Sequence, residues 1–395
     1  MTELFAGLQV VTLEVAVAAP LCTRHLVDLG ATVTKIEPPG SGDFMRALDT
    51  AVRGWSSHFT WLNGGKYSVA IDLKLPLGRS VFDRMLDRAD VFVCNLAPAA
   101  RERLIPDHGV AANRPGLVRC YINGYGNDGP FANRKAFDAL VQGEAGVIAS
   151  TGTADSPAKC GVSIADVGAG TYAFALISAA LARREATGLG SRVDVSLFDV
   201  LTFWLSPLLL AFRNGTPPPP PRGARHATIV PYGTFNTANG STLNIAVQNE
   251  PQWSRFCSTV LRAPEMAADP RWSTNADRVA NRDLLEPRIE QILREIDEDE
   301  LVARLEKGDV PWGRINGIAE VVRHPQLEAR ERWGRVVLED KVLADVLEPP
   351  FLIDGLLRGT RTIPTVGEHT ATVMAGLGFS DAEITALCAE GASGA

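Results

Sequence analysis

The sequence predicts an α/β protein, with a doubly wound, Rossmann-like large domain and a smaller α+β domain. Three observations predict it. Apolar, β-branched runs alternate with helically spaced segments through residues 1–200. An unbroken proline run at 217–221 then interrupts the chain. Beyond it the pattern changes to hairpin strands followed by helices. A chain of 395 residues also exceeds what one core normally organises. We therefore expect a large domain over 1–200, a linker over 201–224 and a small domain over 225–325. Residues 326–395 form a return linker and C-terminal helices that complete the large domain.

Taken in order, residues 8–13 form a strand, 20–29 a helix closing on Gly30, and Thr32–Glu37 a second strand. Strand, helix and strand within so short a span make a βαβ unit, and hence a parallel sheet with right-handed crossovers. The alternation continues with strand 68–73, helix 77–88, strand 90–95, helix 98–104 and strand 117–122. The turn after the first strand, Glu14 to Pro20, has no glycine, so the dinucleotide fingerprint is missing where it belongs. A long apolar helix is expected from about 172 to 184, then strand 192–197 and a helix to about 212. The prolines at 217–221 can be neither helix nor central strand and suit a stiff, extended spacer. Residues 232–236 and 242–247 flank Asn239-Gly240, a hairpin signal. Helices follow near 251–262, 284–296 and 298–306. The tail reads as helix 326–333, strand 334–339 and helices near 367–376 and 381–389, the last opened by a Ser380/Glu383 capping box.

Composition excludes several functions. Hydrophobic residues make up 46% and charged residues 22%, with a formal net charge of -7. That balance gives no general affinity for nucleic acid or anionic membrane. The six cysteines, Cys22, Cys94, Cys120, Cys160, Cys257 and Cys388, form no CxxC pair and meet no histidine at metal-ligand spacing. They read as free, mostly buried thiols, with no metal site, in a reducing compartment. The first residues lack a basic, cleavable leader. The 172–183 helix is too short and alanine-rich for a membrane span. A cytoplasmic location is expected.

The candidate catalytic residue is Asp166, in the run Cys160-Gly-Val-Ser-Ile-Ala-Asp-Val-Gly-Ala-Gly-Thr-Tyr. An extended stretch is expected to end in this carboxylate, with Gly168 and Gly170 before the helix. A helix N-terminus favours negative charge there. A reachable carboxylate can attack an acyl carbon, and an N-cap role is the simpler alternative.

Several short motifs occur together in the same order as in one family. They are the opening GLQVVTLEVAVAAPLCTRHLVDLGATVTKIEPPGSGDFMR, Asn63-x-x-Lys66-x-Ser68, the Ala70-Ile-Asp-Leu-Lys74 strand and Asn95-Leu96-x-Pro98. Gly124-Tyr-Gly126 with Gly129-Pro130, Phe137-Asp138 with Gln142, the Asp166 run and Gly367-Glu-His-Thr370 complete the set. Across essentially the whole chain, the sequence resembles the class III CoA-transferases. The resemblance implies an interlocked, ring-like homodimer that moves coenzyme A from an acyl-CoA donor to a free carboxylate. It implies Asp166 as the nucleophile, CoA and acyl-CoA as substrates, and no tightly bound cofactor. It implies CoA contacts at Ile71, Lys74, Asn95, Leu96, Arg103 and Lys135. Positions near the acyl group include Val15, where relatives often carry Gln or Arg, and Phe137 and Asp138. For a short dicarboxylate the chain offers Arg46, Arg53 and His226, beside Arg225. The expected donor is succinyl-CoA or a similar C4–C5 thioester.

Three other readings belong to such a chain's alternatives. An acyl-CoA racemase of the same family needs a proton-transferring group where Phe137 stands. A non-catalytic acyl-CoA-binding protein would have no use for Asp166. A nicotinamide-dependent dehydrogenase lacks its phosphate fingerprint here.

Overall fold

The computed structural model describes residues 4–339, 341–353 and 359–393. The chain divides into two compact units: 1–147, 160–206 and 328–395 form one, and 148–159 with 207–327 the other.

The larger unit is built on a six-stranded parallel sheet. Its strands are β1 (Gln9–Leu13), β2 (Thr32–Glu37), β3 (Tyr67–Ala70), β4 (Val91–Cys94), β5 (Val118–Asn123) and β6 (Arg192–Ser196). Their order is β3-β2-β1-β4-β5-β6. Alternate residues of the same strands enter two separate cores. Val10, Val33, Val91, Val93 and Val118 pack on one face, and Val11, Ile36, Val69, Phe92 and Tyr121 on the other. Both faces are therefore covered, which explains why these strands read as continuous apolar runs. The order reverses between β1 and β4, and in such sheets ligands bind at the carboxyl ends of the strands flanking that reversal.

β3 is an edge strand, and an edge leaves N–H and C=O groups unpaired. The Gly367–Thr370 turn closes it. His369 N donates to the Ser68 carbonyl (2.9 Å), Ser68 N to His369 Nδ1 (3.2 Å), and Ala70 N to Thr370 Oγ1 (3.0 Å).

Two sequence expectations need correction. The long helix begins at Ile164 rather than near 172 and runs to Thr187, through Asp166, Gly168 and Gly170. Glycine disfavours helix interiors, so the two glycines hid its first turns. Close packing explains them. A Cβ on Gly170 would lie 2.4 Å from the Ala18 carbonyl oxygen, and one on Gly168 2.6 Å from the Trp204 ring. The helix has 24 residues and is apolar enough to cross a membrane by length and composition. Its Ala165, Ala169, Ala173 and Ile177 are instead fully buried in the core beside the sheet. The tail carries a second strand that was not foreseen: Lys341–Leu347 pairs antiparallel with Trp333–Leu338. The latter also takes the two residues Arg361–Thr362 as a parallel neighbour.

The smaller unit holds a three-stranded antiparallel sheet of Tyr232–Asn236, Thr242–Ala246 and Trp312–Arg314. The expected hairpin turn is present, with Gly240 at φ 83°. The sheet packs on helices through Phe235, Ile245, Trp253, Phe256, Leu285 and Leu301. Cys22, Cys94, Cys120 and Cys257 are buried and unbridged, and Cys160 is half-buried. The Cys388 side chain lies outside the described residues.

Candidate active site

Asp166 is the third residue of its helix, after the N-cap Ser163. It therefore does not cap the helix. That role belongs to Asp138, which opens the Asp138–Glu144 helix. Asp138 Oδ1 accepts from Ala165 N (2.8 Å) and Asp166 N (3.4 Å), and its Oδ2 accepts from Gln142 Nε2 (2.7 Å). Gln142 is fully buried and its Oε1 accepts from Cys160 N (2.9 Å). One side chain thus ties Asp138 to the stretch of chain leading into the Asp166 helix. Asp166 itself accepts no hydrogen bond among the described residues and is half-buried. Burial, and then the neighbouring Asp138 charge, push its carboxyl up to about 7. A carboxyl group with that balance is available as a nucleophile near neutral pH.

Asp166 packs its first turn against the chain that follows β1. Val167 joins a small apolar cluster with Ala16, Val17 and Leu21, and Gly170 lets the Ala18 carbonyl approach. Ala16 stands in the left-handed region at φ 63°, uncommon for a residue with a Cβ. The turn is clamped across the switch point: Asn95 Nδ2 donates to the Val15 carbonyl (2.8 Å) and its Oδ1 accepts from Val15 N (3.0 Å). The N–H groups of Ala16 and Val17 donate to no acceptor among the described residues.

A cavity of about 450 Å³ opens at the carboxyl ends of β1, β2 and β3. Its size is that of a small-molecule site. Val15, Ile71, Lys74 and Leu96 line it, as do Leu73, Leu75, Gly78 and Leu104. So four of the sequence candidates meet in one place. Lys74 is exposed and, among the described residues, is the cavity's single lining cation. Asn95 adjoins the cavity through Val15 rather than lining it. Arg103, Lys135 and Phe137 are exposed and do not line it, and Asp166 is not among its walls either. The turn Val15–Ala18 is what connects the two.

The loop arginines differ. Arg46 donates to both carboxylate oxygens of Glu37 (2.9 and 2.7 Å) and to the Pro364 carbonyl (2.9 Å), and stacks on Phe59. It is a structural group, not one presented to a substrate. Against the pull of burial, the Arg46 bonds, the Lys35 charge and the Ser68 hydroxyl hold Glu37 at about 2. Arg53 is exposed and donates to the Val342 carbonyl (3.0 Å). In the smaller unit, His226 is exposed and stacked on Tyr232 (5.1 Å between ring centroids), and Arg225 pairs with Glu286 (2.7 Å).

Sequence reading missed the polar floor. Glu14, Glu37 and Asp43 border the cavity. Beneath it, Lys66 Nζ meets Glu14 Oε1 (2.6 Å) and Lys35 Nζ meets Asp43 Oδ2 (2.6 Å), all four side chains buried. The alternation of Thr32–Glu37 placed Lys35 in a strand, but nothing local marked its partners.

Residues 5–370 match the family described as CoA-transferase family III. The chain belongs to that family. An acetyl-CoA:oxalate CoA-transferase of Acetobacter aceti is 35% identical over 329 residues, covering 82% of this chain and 84% of that one. A succinate–glutarate CoA-transferase of Agrobacterium fabrum is 32% identical, covering 94% of this chain and 95% of that one. A CaiB/BaiF family protein from Brucella suis has the same fold, with a TM-score of 0.83, 32% identity, and coverage of 95% of this chain and 100% of that one. The protein is thus a CoA-transferase enzyme, with acyl-CoA and a carboxylic acid as its substrate classes, on a fold that its sequence had announced.

Proposed function

We propose that this CoA-transferase moves coenzyme A from a C4–C5 dicarboxylic thioester, such as succinyl-CoA, to a short dicarboxylate through a thioester on Asp166. The observation that carries this reading is the state of Asp166: a desolvated carboxyl raised to about 7, with no hydrogen-bond partner among the described residues to blunt it. The relatives named for oxalate and for glutarate support the dicarboxylate class.

An Asp166 carboxylate oxygen attacks the thioester carbonyl, the C–S bond breaks, and CoA leaves as thiolate. The product is a mixed anhydride. The thiolate then attacks the Asp166 carbonyl carbon, the anhydride C–O bond breaks, and the donor acid leaves as carboxylate. The acceptor carboxylate repeats both steps in reverse and restores Asp166. Each attack builds an oxyanion that needs fixed N–H donors. We assign the free Ala16 and Val17 N–H groups to it. The cavity takes the CoA body, with Ile71 and Leu96 as apolar walls and Lys74 as the cation for a phosphate. Asn95 serves by holding Val15. For the acceptor's distal carboxylate, Arg53 and His226 are the candidates, because Arg46 is committed to Glu37. The active species is a homodimer, and the location is cytoplasmic, where acyl-CoA thioesters are used.

Incubation with succinyl-CoA followed by hydroxylamine or borohydride should modify Asp166 and no other residue, read by peptide mass spectrometry. Asp166→Ala should fold normally and lose kcat by several orders of magnitude. Full turnover without any adduct at Asp166 would end the proposal. Arg53→Ala should raise KM for the dicarboxylate about tenfold and leave KM for the thioester unchanged.

A further inference from the structure

The turn Val15–Ala18 touches both the cavity and the nucleophile's helix. Val15 lines the cavity, Ala16 and Val17 pack with Val167, and the Ala18 carbonyl sits against Gly170. Asn95 holds this turn from the β4 side. From the other side it is held by Glu14, the residue just before it, and by an ammonium group beneath.

Lys66 Nζ donates to three acceptors on three different elements: Glu14 Oε1 at the end of β1 (2.6 Å), the Pro20 carbonyl in the first turn of the Ala18–Asp28 helix (3.0 Å), and Asn63 Oδ1 at the end of the Ser57–Asn63 helix (3.3 Å). The other Glu14 oxygen accepts from Thr23 (2.5 Å) and Thr12 (3.1 Å). Two of those three Lys66 contacts, Glu14 and Pro20, are the two ends of the segment that contains the turn. We infer that Lys66 is a positioning residue for CoA transfer, fixing through Glu14 and the Pro20 carbonyl the turn that sets the thioester against Asp166. This rests on the reading of Asp166 as nucleophile.

A stability role explains the arrangement less well. A buried ion pair repays its desolvation poorly, and apolar residues of similar volume would hold the two elements as firmly. What an apolar pair could not do is fix the direction of three acceptors at once. The site is also sensitive to charge. Lys66 faces Glu14, Lys35 and Arg24, and Lys35 in turn faces Asp43; the Cys22 thiol nearby is pushed up by burial. Burial, with Lys35 and against Glu14, brings the Lys66 ammonium down to about 8. Once it loses its proton, Glu14 keeps only Lys35, at 3.7 Å, as a charged partner. Transfer should therefore decline above about pH 8.

The test compares kcat and KM across about pH 6 to about pH 10 for wild type, Lys66→Met and the neutral pair Glu14→Gln with Lys66→Met. Succinyl-CoA and glutarate serve as substrates, and Asp166 adduct formation is followed in parallel. The pair leaves no orphaned charge, so it folds even where Lys66→Met alone does not. We expect the pair to keep KM for the thioester within about threefold and to lose at least about tenfold in kcat at neutral pH, as misplacement of reacting groups does. The alkaline limb near pH 8 should vanish. A pair variant with wild-type kcat, or one that retains the alkaline limb, overturns the inference. Absence of the adduct in wild type would instead overturn the reading of Asp166.

Discussion

Two carboxylates meet at one helix terminus, and their hydrogen bonds separate their roles. Among the described residues, Asp138 receives three N–H donors, from Ala165, Asp166 and Gln142, while Asp166 receives none. The first therefore serves as a fixed anchor, and the second is left unengaged, as the proposed nucleophile needs to be. Because burial and then Asp138 raise Asp166 to about 7, the rate of acylation should rise with pH through that value, the ionised form being the nucleophile in the proposed reaction. Asp138→Asn keeps an oxygen for Ala165 N but removes the charge. Its acid limb should move down by about one pH unit or more, as read from single-turnover kinetics; an unmoved limb would assign the shift to burial alone. A second consequence concerns stability. A carboxyl whose folded pKa is raised makes the ionised form costly in the native state. The cost is absent below the ordinary Asp value near 4, grows as pH rises toward about 7, and is constant beyond. Asp166→Asn should accordingly stabilise the protein by roughly 1–3 kcal/mol at pH 8 and by nothing near pH 4, in paired thermal melts; the figure is reduced for partial solvent access.

At the scale of elements, legibility followed locality. The parallel sheet was plain from the sequence because its strands are apolar on both faces and its crossovers short. The capping box at Ser380 was legible because both partners lie within one turn: Ser380 N donates to Glu383 Oε2 (2.7 Å), and Glu383 N to Ser380 Oγ (3.4 Å). The Asp166 helix was misread at its start because Gly168 and Gly170 look like breakers, and their reason lies on other elements. Asp138 caps a helix more than a full helix-length along the chain, and the Lys66–Glu14 pair joins residues from separate βα units; no spacing rule reaches either. The Gly367–Thr370 motif was visible as a motif, but its task, closing the edge of β3, was not. Gly170→Ala tests the packing account. Its Cβ would be forced against the Ala18 carbonyl, costing about 1–3 kcal/mol. Because that carbonyl belongs to the turn at the site, kcat should fall beyond what the lost stability explains; an active, stable variant would show that the close approach is dispensable.

For the whole molecule, the exposed apolar surface is the feature a lone chain does not account for. On the Leu197–Trp204 helix, Phe203 is 68% exposed, and on the Ser206–Arg213 helix Leu210 is 66% and Phe212 63% exposed. The second helix has no buried residue, so its apolar side chains contribute nothing to either core. Exposed apolar side chains such as these are normally covered by a partner, and a second copy of the chain is the partner that the proposed homodimer supplies. Each Leu or Phe fully buried by the partner would contribute about 1.5–3 kcal/mol toward that association. The chain should therefore sediment as a dimer at micromolar concentration. Leu210→Glu with Phe212→Glu should shift it toward monomer, because two buried carboxylates would face apolar surface without partners. If both the wild type and the double variant run as stable, active monomers in sedimentation velocity and turnover assays, the homodimer is wrong and those helices must serve another surface.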